Sequence, residues 1–166
     1  PTDEGAAVLS EALDELGVDR ARAKWFLTHL HMDHAGLVDQ VVPDGGFLLY
    51  GAAEVAAVRA SRTGMFLDSL RRVYRRQGVP RASLSVAARL GIEVQMFDPD
   101  RLRTCFMHDG DEVMVGRYTL RVVETPGHTP GHLALFEPEN GILFSGDHAL
   151  FVISPSIALF PNEQDG

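Results

Sequence analysis

The segment Thr28-His29-Leu30-His31-Met32-Asp33-His34-Ala35-Gly36 sets three imidazoles and a carboxylate within six consecutive positions. Imidazole nitrogen and carboxylate oxygen are donors that zinc and its neighbours among the divalent metals accept, and packing alone seldom gathers them so densely. Histidines two apart on extended backbone point to the same side, so His29 and His31 can meet one ion. Asp33 and His34 lie past the turn, where they can face a second ion. One loop can therefore seed two sites.

A second cluster, Glu124-Thr125-Pro126-Gly127-His128-Thr129-Pro130-Gly131-His132, uses two prolines and two glycines to shape a rigid turn that can aim an imidazole. A zinc held by two histidines needs a further nitrogen or oxygen ligand, and His128 can supply it. The third piece is Phe144-Ser145-Gly146-Asp147-His148, directly after an apolar stretch, where the Asp147 carboxylate can place one oxygen on each of two ions. His132 reads as a residue that orients the loop from behind the ligands rather than as a ligand. His148 can line the pocket or point away. His108 reads as a surface-turn histidine, and Cys105 as a small packing residue.

These motifs, His-x-His-x-Asp-His at positions 29–34 followed by Gly36, the Pro-Gly-His-Thr-Pro-Gly-His turn around His128, and the Gly146-Asp147 pair, resemble the metallo-β-lactamase superfamily in type and order. The resemblance implies an α/β fold, the four-layer αβ/βα sandwich. It also implies two divalent ions, zinc above all with manganese or iron as alternatives. His29, His31 and His128 would bind the first metal, Asp33 and His34 the second, and Asp147 would bridge them. The family adds a histidine to the second metal beyond the Gly-Asp motif, and opens with paired strands before the position of Pro1. Neither is found here, so the chain reads as a section lacking the N-terminal strands and the C-terminal end.

Elements must carry these loops. Residues 3–16 place Val8, Leu9, Leu13 and Leu16 at helical spacing, with acids in the first turn and Gly17 as the stop, which predicts an amphipathic helix packed on a sheet. Residues 25–27 read as a buried strand ahead of the histidine loop, 35–42 as a short helix and 47–50 as the next strand. From 52 to 90 the pattern is helical. Met65, Phe66, Leu70, Val73 and Tyr74 share one side there and Arg71, Arg72, Arg75 and Arg76 the other, which reads either as an amphipathic insert with a solvated basic face or as one that caps the active site. Strands are predicted at 94–97, at 112–115 and 118–124 around Gly116-Arg117, and at 133–136 and 142–144, giving a mainly antiparallel back half. The whole, 1–166, reads as a single domain with that insert.

Composition narrows the function. Of 166 residues 45% are hydrophobic, enough for one core. The formal net charge of -8 would repel a phosphate backbone, so no nucleic-acid partner is expected. One cysteine leaves no pair for a disulfide or a thiolate metal site. No apolar run approaches the roughly 20 residues that cross a bilayer, and no signal peptide is visible, so no membrane partner and a cytoplasmic location are expected.

Two cations sharing a water lower its pKa toward neutrality, which implies a hydrolase with a metal-bridging hydroxide, Asp147 orienting it and Asp33 assisting the leaving group. The turn and the Gly-Asp pair look closest to the hydroxyacylglutathione hydrolase and lactonase-like branches. They imply a small-molecule thioester, lactone or other ester as substrate, with a homodimer left open. Two alternatives stay open: a persulfide dioxygenase with one iron on His29, His31 and Asp147, and a metal-binding module without turnover.

Overall fold

A computed structural model describes residues 1–62, 65–80, 83 and 97–157, with the backbone alone for 60–62 and 65–70. Helix α1, Asp3–Glu15, starts at Thr2, whose hydroxyl accepts the Gly5 N–H at 3.0 Å. It ends where Gly17 takes φ 67, a conformation that costs glycine least. Strand β1, Lys24–Phe26, is followed by two single-turn helices, α2 at Met32–Ala35 and α3 at Val38–Val41, and then by β2 at Phe47–Gly51. Helices α4, Glu54–Arg62, and α5, Met65–Arg76, come next. Strand β3, Arg103–Met107, completes a three-stranded sheet of order β1-β2-β3, all parallel.

The second sheet is antiparallel and runs β4-β5-β6-β7: Glu112–Val115, Tyr118–Glu124, Leu133–Glu137 and Ile142–Phe144. The β4–β5 turn has Gly116 at φ 60 and the β6–β7 turn has Gly141 at φ 69. Tight connections of this kind favour residues that accept a positive φ, and both hairpins fall where the sequence predicted them.

Alternation along β2 divides the core. Leu48 and Tyr50 point to a cluster shared with Ala35, Val38, Val41 and Val58, which come from α2, α3 and α4. Leu49 points the other way, into a cluster with Met107, Val113, Leu120, Val122, Leu133 and Leu135. Side chains of a strand alternate faces, so one central strand serves two cores. Each fully buried aliphatic side chain contributes about 1.5–3 kcal/mol. The result is the mixed α/β sandwich that the sequence implied: helices, the parallel sheet, then the antiparallel sheet. Among the described residues no helix joins the second cluster, which strand residues alone build.

Several expectations need correction. Helix α1 lies chiefly against α3, and Val8, Leu9 and Leu16 are exposed, because Val38 and Val41 of α3 already occupy the sheet face with Leu48 and Tyr50. The helix expected at 35–42 is broken at Gly36, so Asp33 and His34 sit on α2 rather than in a loop. Strand β3 was not anticipated, and Cys105 within it is exposed rather than packed. β3 pairs only with β2 among the described strands, and of its five residues only Met107 is buried.

Helix α4 seats the buried Val58 in the first cluster and α5 packs on α4. The side chains of Met65, Phe66 and Leu70, residues 94–96 of the expected strand, most of 77–90 beyond Pro80, and the last residues 158–166 lie outside the described residues. No helix among the described residues is long and apolar enough to cross a membrane.

Candidate metal centre

Three loops converge: the one after β1, the turn between β5 and β6, and the one after β7. The Leu133 N–H donates to the Thr28 carbonyl at 2.8 Å, which ties the first two together. A side chain at Gly146 would bring a Cβ within 2.7 Å of His132 Nε2 and 2.8 Å of the Thr28 Cβ, at φ +50. Glycine is needed there because the third loop passes in direct contact with the other two.

Two groups of donors result. His29, His31 and His128 form one, and His29, His34 and Asp147 the other, with the donor atoms of each group within 4.8 Å of one another. His31 Nδ1 lies 2.8 Å from His128 Nε2. Asp147 faces both groups, with Oδ1 3.2 Å from His34 Nε2 and Oδ2 3.4 Å from His128 Nε2. Asp33 belongs to neither group. Its side chain is 75% exposed and its Oδ2 stands 3.6 Å from His34 Nε2.

Protonation favours metal binding. Burial, and after it the neighbouring His34, His31, His132 and His128, pushes His29 down to about 2. Burial and then His128 also lower His31, against the opposing pull of Asp33 and Asp147. Neutral imidazole is the form that ligates. His29 Nε2 is buried and has no hydrogen-bond partner. Buried polar atoms are nearly always paired, so this lone pair, facing three other imidazole rings at 4.1–4.8 Å between centroids, calls for a cation. The donor set fits divalent metals of the zinc type.

Contacts behind the donors settle which nitrogen is free. His128 Nδ1 lies 2.6 Å from the Ser156 carbonyl, an acceptor only, so Nδ1 carries the proton and Nε2 keeps its lone pair. Thr28 Oγ1, 3.1 Å from His29 Nδ1, can accept a proton from that nitrogen and leave Nε2 free likewise. His132 is fully buried, and its Nε2 accepts the Asp147 N–H at 3.1 Å. Its Nδ1, which must then hold the proton, donates to Thr125 Oγ1 at 2.7 Å. Burial, with His128 and His148 next, drives His132 down to about 4, which keeps the accepting nitrogen available.

Of the residues singled out in the sequence, His29, His31, His34, His128 and Asp147 come together, while Asp33 stands at the exposed margin. His132 sits behind Asp147, as a residue that orients it. His148 is exposed beside His132, 6.2 Å between ring centroids. His108 is at a surface turn, its Nδ1 3.5 Å from Glu124 Oε1. Thr28, Thr125 and Ser156 escaped notice. Thr125 stands in the glycine-proline turn and Thr28 directly before His29, but a hydroxyl or carbonyl that supports a ligand has no spacing of its own.

Residues 23–164 match the family model described as the metallo-beta-lactamase superfamily. The hydroxyacylglutathione hydrolase GloC of Haemophilus influenzae is 28% identical over 121 residues, 73% of this chain and 47% of that protein. A hydroxyacylglutathione hydrolase of Rhodospirillum rubrum is 51% identical over 39 residues, 24% of this chain and 15% of that protein. Among solved structures, a metallo-beta-lactamase family protein from Thermus thermophilus superposes with TM-score 0.74 and 27% identity, covering 99% of this chain and 54% of that one. A beta-lactamase domain protein from Burkholderia ambifaria gives TM-score 0.71 and 26% identity, covering 96% and 46%. The chain thus spans about half the length, or less, of the relatives it matches. With the family match running from just before β1 past the Gly-Asp loop, the chain belongs to the metallo-beta-lactamase superfamily.

Proposed function

We propose that this chain carries the metal centre of a metal-dependent hydrolase that cleaves a small ester-like substrate, a thioester, lactone or other ester. The observation that carries the reading is the meeting of His29, His31, His34, His128 and Asp147 around a buried, unpartnered His29 Nε2. Similarity to hydroxyacylglutathione hydrolases supports the thioester among these substrates.

His29, His31 and His128 would hold one ion, and His34 a second, with Asp147 a ligand facing both groups. When bound, two such ions supply a hydroxide nucleophile near neutral pH and polarise the carbonyl under attack. The chain's own residues do the remaining work. The Ser156 carbonyl holds His128 in the ligating tautomer, and the Thr28 hydroxyl can accept from His29 Nδ1 to the same effect. His132 fixes the backbone of Asp147 and so orients its carboxylate. Asp33, exposed and beside His34, would pass a proton to a leaving group from the solvent side. Helix α4 starts at Glu54 against the ligand turn and α5 packs on α4, and we assign α5 the role of contacting substrate.

The test is metal per chain in protein purified without chelator, followed by turnover of ester, thioester and lactone panels. Two equivalents of zinc, manganese or iron together with turnover support the reading. A single iron with persulfide oxidation would replace it, and protein that binds no metal would overturn it.

A further inference from the structure

We propose that Glu54 is a positioning residue for the metal centre, its carboxylate holding the 126–131 turn in the shape that aims His128 at His29 and His31. The proposal rests on the metal-centre reading above. Glu54 lies in the first turn of α4 and is 1% exposed. An acid in the first turn of a helix gains from the helix dipole while exposed, so burial is not needed for that gain. Burying a carboxylate is costly unless partners take its lone pairs; Oε2 has none, so the compensation falls on Oε1, whose partners are specific. Oε1 accepts both the Thr129 hydroxyl and the Gly131 N–H, the latter at 2.8 Å. These two residues flank Pro130, and Thr129 directly follows His128.

The surroundings are built for that contact. A Cβ at Gly51, the end of β2, would stand 2.1 Å from the Gly131 carbonyl oxygen. A Cβ at Gly131 would stand 2.8 Å from Glu54 Cγ and from the Glu54 backbone nitrogen. The end of β2, the start of α4 and the ligand turn therefore sit in close contact, with no space for a side chain at Gly51 or Gly131. Thr129 is fully buried. Glu137, the other buried acid among the described residues, spends its oxygens on its own turn, taking the Glu139 and Asn140 N–H groups and the Asn140 side chain. Glu54 instead reaches 75 and 77 residues along the chain to the ligand loop. With the Ser156 carbonyl on Nδ1 and Glu54 on the following residues, His128 is restrained in both rotation and translation. Partners of this type set metal affinity because they fix the ligand before the ion arrives.

The test compares wild type with Glu54→Leu, Thr129→Val and Glu54→Gln. Zinc affinity is measured by competition with a chromophoric chelator, the ligand field by the visible spectrum of the cobalt(II)-loaded chain, and folding by circular dichroism and thermal midpoint. Glu54→Leu should weaken the tighter zinc equivalent about 10- to 100-fold and alter the cobalt bands. Thr129→Val should do the same at the lower end of that range. Glu54→Gln, which keeps an accepting oxygen, should stay within a few-fold of wild type. Unchanged zinc affinity and cobalt spectrum in both Glu54→Leu and Thr129→Val would overturn the proposal. If Glu54→Leu fails to fold, Thr129→Val decides, since it removes one hydroxyl at nearly constant shape. Wild-type chain that takes up neither zinc nor cobalt overturns the metal-centre reading and the positioning role with it, whereas metal binding indifferent to Glu54 and Thr129 removes only the latter.

Discussion

The two donor groups share His29 but differ in their surroundings. His29 and His128 are buried, at 1% and 8% exposure, and their outer nitrogens are engaged by Thr28 and Ser156. The second group opens toward solvent, with His34 and Asp147 side chains 29% and 24% exposed and Asp33 75% exposed at its edge. A lone pair that water cannot reach gains more from a cation than one that water already solvates. Ligands fixed in advance also lose less freedom on binding. The first group should therefore fill first and hold its ion harder, while the second depends on Asp147 and on what completes its open side.

The largest effect is expected where the groups meet. Asp147→Ala should lower kcat roughly 10³-fold, several kcal/mol of transition-state stabilisation, in steady-state turnover of whichever ester the panel identifies. Retained turnover with unchanged metal content would remove Asp147 from the mechanism. Next, elemental analysis of His128→Ala and His34→Ala should separate the groups: the first variant loses the tightly held equivalent, the second keeps it and loses the weaker one. Equal losses in both would break the comparison and make the centre one cooperative unit.

His132→Ala tests support rather than ligation. It should retain the tight zinc equivalent while kcat falls about 10- to 100-fold, because the Asp147 backbone and Thr125 lose a partner but no donor of the first group does. Loss of the tight equivalent would instead make His132 part of the first group.

The smallest effect concerns acid stability of the metal-free chain. His29 and His132 titrate lower in the folded chain, at about 2 and about 4, than the 6.5 of a free imidazole. Between 6.5 and those values the unfolded chain binds more protons than the folded one, so stability falls as pH falls and is fully present above 6.5. Denaturant midpoints measured from about pH 7 to about pH 4.5 should drop, with a slope up to about 1.4 kcal/mol per pH unit for each imidazole. Replacing His132 by Phe should flatten the curve by one group's share; no change in slope would show that its burial does not control its protonation.

Much of the fold was legible because its signals are local. Both hairpins follow from alternating apolar strands around Gly116 and Gly141, and α1 opens on the acids Asp3 and Glu4 and stops at Gly17 as read from the sequence. β3 was not legible. Arg103-Thr104-Cys105-Phe106-Met107 has no clear alternation, and its strand character comes from parallel pairing with β2, more than fifty positions earlier. The exposed face of α1 was misread for a similar reason, since its periodicity shows that it has an apolar side but not that α3 already fills the sheet.

Residue type and spacing alone picked out the candidate donors, because His29, His31, Asp33 and His34 are adjacent in the chain and His128 and Asp147 sit in loops marked by their own glycines and prolines. Tertiary structure decided the rest: Asp33 at the margin, His132 behind Asp147, the Ser156 carbonyl accepting from His128 Nδ1, and Glu54 against the ligand turn. Each of those depends on distance, burial and the direction of a hydrogen bond between segments far apart in sequence. These quantities exist only once the two sheets have packed and brought the loop ends together.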